Sequence, residues 1–404
     1  MNWWIIEDAL RDSKGHWREY LQSFRLGLER EGDSVRILAS RECDQDLADS
    51  LGAEPLLPRS IWARISDNAP KWKKLLRIVS HGLATWHSVS RLLRANTAKP
   101  DLIFVPTVLV HHLVGWVLLL AWNLRSGKTR VLLFFPNTPA YLDADGTPRL
   151  NSDPSARLFA FLIRRCKKWV RQGRLILGAE TEPMVAAMSQ LTGVPFHYLP
   201  HAVEPMADLK EVEENAGATI RFGAYGSARH EKGSELIQAA ILSYLAESPD
   251  PRVRFSLQWI HDFSLPDGSM AHLDPKLEAH PQCEVINGFF PEGGYATQIA
   301  NTDVMILPYR DAYRLRVSRV VIEALQAGLP VIVARGTTLC QQAGAHGIAI
   351  ECEQNNPASL VEAIRQAVEQ ISKLKAAAAD AANSSREHFS VKTFRQLLSK
   401  DAHG

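Results

Sequence analysis

An arginine, a histidine and a lysine stand just past a glycine turn in residues 222–236, FGAYGSARHEKGSEL. The apolar run TIRFGAYG stops at Gly226, Arg229, His230 and Lys232 follow, and a helical pattern, SELIQAAILSYLAE, begins at Ser234. Gly226, Ser227 and Ala228 are small enough for a ligand to approach the backbone. Arg229 and Lys232 supply positive charge, and the helix aims its N–H groups and positive dipole end at the same place. That order suits an anion, above all a diphosphate, at the carboxyl end of a parallel strand. The stretch is neither GxxxxGK[ST] nor GxGxxG, and a plain surface βα loop has the same composition.

A second stretch, DVMILPYRDAYRLRVSRVVIEALQAGLPVIV (303–333), has the same build. An apolar strand ends at Pro308-Tyr309, and a polar loop carries Arg310, Asp311, Tyr313 and Arg316. Ser318 is placed to cap the helix SRVVIEALQAG, and Gly328 with Pro330 stops it. Glu323 is either an ordinary exposed helical Glu or a carboxylate inside the apolar run VVIEALQA. Buried there, it needs a bonding partner, and a ribose hydroxyl pair is a suitable one.

The elements that position these residues alternate strand and helix almost throughout. NWWII, SVRILA, DLIFVP, RVLLFF and RLILGA read as one series of strands. TIRFGAYG, RVRFSLQWI, CEVINGF, DVMILPY, LPVIVA and GIAIEC read as a second. Continuous rather than alternating apolar strands predict parallel sheets covered by helices on both faces, hence two doubly wound Rossmann-like domains. The expected division is 1–200, 201–385 and a final amphipathic helix in 386–404 that crosses back to the first domain. The expected boundary lies at YLPHAVEPMADLKEVEENAGA (198–218), with an acidic helical stretch and a hinge.

At 404 residues the chain is long enough for two domains, and 46% apolar with 22% charged residues marks it as globular. A net charge of +2 gives no reason to expect nucleic acid. Five scattered Cys without a CxxC suit a reducing cytosol with neither disulfides nor zinc. The N-terminus has no signal-peptide pattern, and the most apolar window, 108–124, carries two His and reads as a buried helix. Residues 59–99 hold nine Lys and Arg against Asp67, with Trp72, Leu75, Leu76, Val79, Leu83, Trp86, Val89 and Leu93 at helical spacing; 156–174 holds no acid. Each segment reads either as a solvated face on a packed helix or as a contact with an anionic membrane surface.

Together the order strand–GxxRxEKG–helix, DVxxLPY and SxxxxEALxxGxPVxV resembles the donor half of retaining GT-B glycosyltransferases of the family 4 type. The resemblance covers 198–385 well and the first domain only in general layout, through GHWREYLQSFRLGLEREGDSVRILA. It implies two Rossmann-like domains facing across a cleft and a UDP- or GDP-sugar donor, with no cofactor. Lys232 and Arg229 would hold the diphosphate, with Arg229 displaced from the usual position, where Ser227 stands. Glu323 would bind ribose, and Ser318 and Arg319 would bring helix-terminal amides to the phosphates, with Gly226 and Gly15 nearby. The family's other Glu would be residue 315, and that residue is Leu315. The sugar contact made there is missing or moved to Asp311, Tyr313 or Arg316.

No DxD stands in a suitable loop, so protein cations rather than a metal are expected to stabilise the leaving group. Acceptor or sugar candidates are His16, His111, His112 and Asn137, with Tyr141, His201, His261 and Asp262 as further cleft candidates. The implied activity is metal-independent, retaining transfer to a saccharide or lipid-linked acceptor in polysaccharide or glycolipid assembly. The implied location is cytoplasmic, at the inner face of a membrane. Two other readings fit the same residues: a GT-B sugar-nucleotide epimerase, and a binding subunit that lost turnover, for which Leu315 argues.

Overall fold

The computed structural model describes all residues except 13–16, 61–70, 126–127, 207–218, 248, 292 and 401–404. The expected acidic stretch before the second sheet, Gly15 and His16, and part of the first basic segment lie outside the described residues. The chain forms two compact domains: Met1–Ala202 with the terminal stretch from Ser390, and Val203–Phe389.

In the first domain the apolar runs become β1 (Asn2–Glu7), β2 (Ser34–Ser40), β3 (Ala53–Leu57), β4 (Leu102–Val105), β5 (Arg130–Phe135), β6 (Leu175–Ala179) and β7 (His197–Tyr198). All pair in parallel, in the order β3-β2-β1-β4-β5-β6-β7. The order reverses between β1 and β4, so the chain leaves these neighbours in opposite directions and opens a crevice at their carboxyl ends. Strands β3 and β7 were not anticipated. Both are sheet edges, and AEPLL carries Pro55, which an edge tolerates. Two short antiparallel hairpins, Ala140–Leu142 with Pro148–Leu150 and Phe263–Ser264 with Met270–Ala271, were also unforeseen.

Helices α1 (Trp17–Arg30), α2 (Lys71–Ala95), α3 (Val110–Leu118) and α4 (Pro154–Arg171) cover this sheet. The window 108–124 is α3 followed by a wider-wound turn, with Leu113, Trp116, Leu119 and Leu120 buried. Among the described residues no helix is long and apolar enough to cross a membrane. Helix α2 crosses α3 where a Cβ on Gly115 would lie 2.4 Å from the Gly82 carbonyl oxygen, so only glycine permits the approach.

The two basic segments differ. In α4 the apolar side is packed, with Phe159, Ile163, Cys166 and Trp169 buried and Phe161 exposed. In α2 the repeat splits: Val89 and Leu93 are buried, whereas Trp72 and Leu76, both 59% exposed, form a stripe with Val79 and Leu83 that faces outward.

In the second domain β8 (Ile220–Ala224), β9 (Val253–Trp259), β10 (Cys283–Asn287), β11 (Val304–Leu307), β12 (Val331–Ala334) and β13 (Ala349–Cys352) run in the order β10-β9-β8-β11-β12-β13, again all parallel. The order reverses between β8 and β11, the two strands that precede the cationic loops. Helices α5 (Ser234–Ala246) and α6 (Arg319–Ala327) follow those loops.

The terminal helix Val391–Lys400 packs on α1. Its fully buried Phe394 lies 5.0, 5.4 and 5.8 Å from the rings of Phe24, Phe104 and Phe134. Arg395 adds two bonds to Asp33, at 2.7 and 3.0 Å. Phe394→Ala empties the centre of that ring cluster and is expected to destabilise the first domain by about 3–5 kcal/mol. Hydrogen exchange should then speed up in α1 and β4 but not in β8 to β13; unchanged exchange in α1 would refute the packing role.

Candidate functional site

Because β8 and β11 are paired neighbours, the loops after them must emerge side by side. Gly226 ends the first at φ +98°, a conformation that favours glycine, and a Cβ there would lie 2.8 Å from Lys232 Nζ. Its amide donates to Gln258 Oε1 at 2.7 Å, and Gln258 Nε2 donates to the Gly288 carbonyl at 2.8 Å. Gln258 was missed in the sequence; its signal was a lone amide in the apolar strand β9. Gly226, Ser227, Lys232, Gln258 and Tyr309 line one small cavity.

Lys232 Nζ lies 5.6 Å from the Tyr309 ring centroid, and among the described residues it has no carboxylate in ion-pair range. Burial lowers its pKa, opposed by Tyr313 and reinforced by Arg229. A partly desolvated ammonium lined by backbone and tyrosines is an anion receptor. Arg229 is more exposed, 3.6 Å from Glu231 Oε1, and Arg316 approaches the same oxygen at 3.7 Å while stacking 4.8 Å over Tyr313. Two guanidiniums thus flank one acid.

The loops are stitched together by groups with no assigned role in the sequence. His230 Nδ1 is 2.6 Å from Glu235 Oε1, and the same oxygen takes Arg310 Nη2 at 2.8 Å. Arg310 also donates to the His230 carbonyl, and its own amide donates to Glu231 O at 3.0 Å. His230 and Arg310 are therefore positioning residues.

Glu323 is buried, as the second of the two readings has it, but its partners come from within the domain. Arg319 Nε, one turn earlier, donates to Oε1 at 2.7 Å, and Tyr295 O–H donates to Oε2 at 2.7 Å. Tyr295 was not foreseen, because nothing in its spacing links it to Glu323. Ser318 holds the N-cap position, yet its hydroxyl makes no capping bond. Leu315 is 3% exposed, so an apolar side chain fills the place where the resemblance implies a Glu. Tyr313 is buried against Tyr309, with ring centroids 4.6 Å apart.

In the first domain the crevice between β1 and β4 holds a cluster that sequence reasoning saw only through His112. Asp8 Oδ2, at the end of β1, accepts from His112 Nε2 at 3.0 Å, and His81 Nε2 lies 2.8 Å from the same oxygen. The close α2–α3 crossing next to His81 and His112 brings these helices together. Three possible metal ligand atoms lie within 4.8 Å here. However, the Leu109 amide donates to His112 Nδ1 at 3.0 Å, which keeps a proton on Nε2, the nitrogen a metal would need. The donor set therefore fits a hydrogen-bonded cluster better than a metal. Burial opposes protonation of His112, but Asp8 outweighs it and raises the pKa; His111, pushed down to about 4 by burial and its neighbouring histidines, is neutral. Asn137 is exposed after β5, and Tyr141 sits in the first hairpin. His201 pairs with Glu180 at 2.6 Å, and Asp262 with His272 at 2.7 Å.

Residues 220–370 match the family model for glycosyl transferases group 1. No curated protein matches the chain by sequence. Among solved structures, a glycosyltransferase from Rickettsia africae is 11% identical with a TM-score of 0.65, covering 99% of this chain and 97% of its own. HepE from Anabaena in complex with UDP is 14% identical with a TM-score of 0.64, covering 99% of both chains. A sucrose-phosphate synthase from Thermosynechococcus elongatus is 13% identical with a TM-score of 0.63, covering 99% of this chain and 98% of its own. At such identities the likeness establishes the fold, GT-B, while the family match marks the second domain as its glycosyl transferases group 1 domain.

Next to Asp8, Glu7 is fully buried, accepting from the Ala9 amide at 2.8 Å and the Thr107 hydroxyl at 2.7 Å. Burial, then the Asp8 charge, pushes its pKa up from 4.5 to about 8. Between those values the folded state keeps a proton that the unfolded state has released, so Glu7 makes stability fall as pH rises through that window. Glu7→Gln should remove this slope, with the first domain of the variant gaining on wild type from pH 5 to pH 8 in denaturant melts, by up to about 1.4 kcal/mol per pH unit. A pH-independent difference would contradict the assignment.

Proposed function

We propose that this GT-B glycosyltransferase moves a sugar from a nucleotide-sugar donor to an acceptor hydroxyl with retention of anomeric configuration. The observation that supports this most is the half-buried Lys232, with no carboxylate in ion-pair range among the described residues, beside Gly226 at the strand reversal of the domain that carries the family match.

In this reading Lys232 and Arg229 hold the donor diphosphate. Gly226 and Ser227 give it room, and the amides at Ser318 and Arg319 reach it from the start of α6. Arg316 and Tyr313 border the sugar. Glu323 has about four lone-pair sites, and Arg319 and Tyr295 occupy two, leaving capacity for the ribose hydroxyls. As the bond from the anomeric carbon to the diphosphate breaks, negative charge grows on the departing oxygen, where Lys232 and Arg229 are already in place. The acceptor oxygen forms the new bond on the same face, and its proton passes to the leaving diphosphate. Protein cations carry this stabilisation, with neither a metal nor a carboxylate nucleophile. A saccharide or lipid-linked acceptor in polysaccharide or glycolipid assembly falls to the first domain. The basic segments 59–99 and 156–174 suit an anionic membrane at its cytoplasmic face, the outward Trp72–Leu83 stripe more so than the packed α4.

Leu315 favours a second reading, a subunit that binds nucleotide-sugar without turning it over. Nucleotide release from a panel of nucleotide-sugars, with and without membrane extract, separates the two. Release from one donor is expected, whereas tight binding without release in every condition would select the binding subunit.

Lys232→Ala removes one charge-assisted contact and is expected to weaken UDP or GDP binding roughly ten- to hundredfold, with an unchanged melting profile. Unaltered nucleotide affinity would show that the anion site lies elsewhere.

A further inference from the structure

The first domain has a cavity of about 590 Å³ beside the end of β3 and the first half of α2, lined by Glu42, Arg59, Ser60, Arg77, Ser80 and His81 among others. It lies on the carboxyl-end side of the parallel sheet, the side on which such folds bind ligands. We propose that this cavity receives a phosphate group of the acceptor, a phosphomonoester or diphosphate, with Arg59 and Arg77 as its principal ligands and Ser80 and His81 completing the shell. The inference rests on reading the first domain as the acceptor side.

The chemistry of the lining supports this. Among the described residues of the lining, Arg59, Arg77 and His81 stand with a single carboxylate, Glu42, whose Oε2 already accepts the Ser60 amide at 3.1 Å. Guanidinium forks match phosphate oxygens bidentately. Asp8 stands behind His81, 2.8 Å from its Nε2, and itself accepts from His112 Nε2 at 3.0 Å. The buried cluster in the crevice thereby gains a role the donor site does not supply, orienting an imidazole at the wall of an anion pocket. The same helix that carries Arg77, Ser80 and His81 into the cavity presents Trp72, Leu76, Val79 and Leu83 outward, the first two at 59% exposure. A phosphate on a lipid would engage both faces, and a phosphate on a soluble sugar only the cavity.

The test uses the full chain and two probes. Glucose 6-phosphate against glucose, by titration calorimetry, reports the soluble source. Pelleting with phosphatidylcholine vesicles, with and without phosphatidic acid, reports the lipid source. Wild type is expected to show phosphate-dependent binding to at least one probe. Arg59→Gln with Arg77→Gln should weaken it at least about tenfold, while UDP affinity at the second domain stays unchanged. Ser80→Asp, at an exposed position, places a carboxylate in the cavity and should have the same effect even if the double variant folds poorly. Response to glucose 6-phosphate alone identifies a soluble phosphorylated acceptor, and response to phosphatidic acid alone a lipid headgroup. Absence of phosphate-dependent binding to either probe, or binding indifferent to all these variants, overturns the proposal. Because UDP binding is followed in parallel, that failure is distinct from failure of the donor-site reading.

Discussion

A partly desolvated lysine ammonium with no carboxylate in ion-pair range among the described residues is the constraint around which the second domain is arranged. Desolvating a charge is costly, and the domain tolerates Lys232 by facing it with the Tyr309 ring and a backbone turn, with Glu231 and Glu323 offsetting part of the cost at longer range. Gly226 stands in the left-handed region and has no Cβ to crowd the ammonium, and Gln258 holds that turn from β9. The neighbouring loop is tied down through Arg310, His230 and Glu235.

Strand order does the same work in both domains. In each sheet the chain starts at a central strand, builds outward on one side, then returns to build on the other. The reversal separates two loops at one edge and places the following helices around the gap. In the second domain the gap is lined by cations and glycine. In the first it is lined by Asp8, His81 and His112, with the His112 tautomer set by the Leu109 amide. One topology thus presents two chemically different crevices.

Much of this was legible along the chain. The continuous apolar strands announce two parallel sheets, and the order of glycine turn, Arg229, Lys232 and helix announces an anion site. Other features were not. Ser318 has the right residue type for a helix cap and holds the N-cap position, but its hydroxyl makes no capping bond in the folded domain. Glu323 reads as needing a partner, and only the folded domain reveals Tyr295, twenty-eight positions earlier in the chain, as one of them. The apolar repeat of α2 is uniform in sequence, yet its second half is buried and its first half exposed.

By itself the sequence determined which residues are polar inside apolar surroundings and how strands and helices alternate, because periodicity and turn chemistry act over a few residues. Tertiary structure alone decided which distant side chains share an atom. The Asp8 carboxylate collects His81 and His112, and the Lys232 ammonium meets Tyr309, because sheet register and helix crossings bring remote positions within about 3 to 6 Å. Long-range contacts of this kind leave no local spacing to read, since their separation along the chain is set by the length of the intervening elements and not by the chemistry they perform.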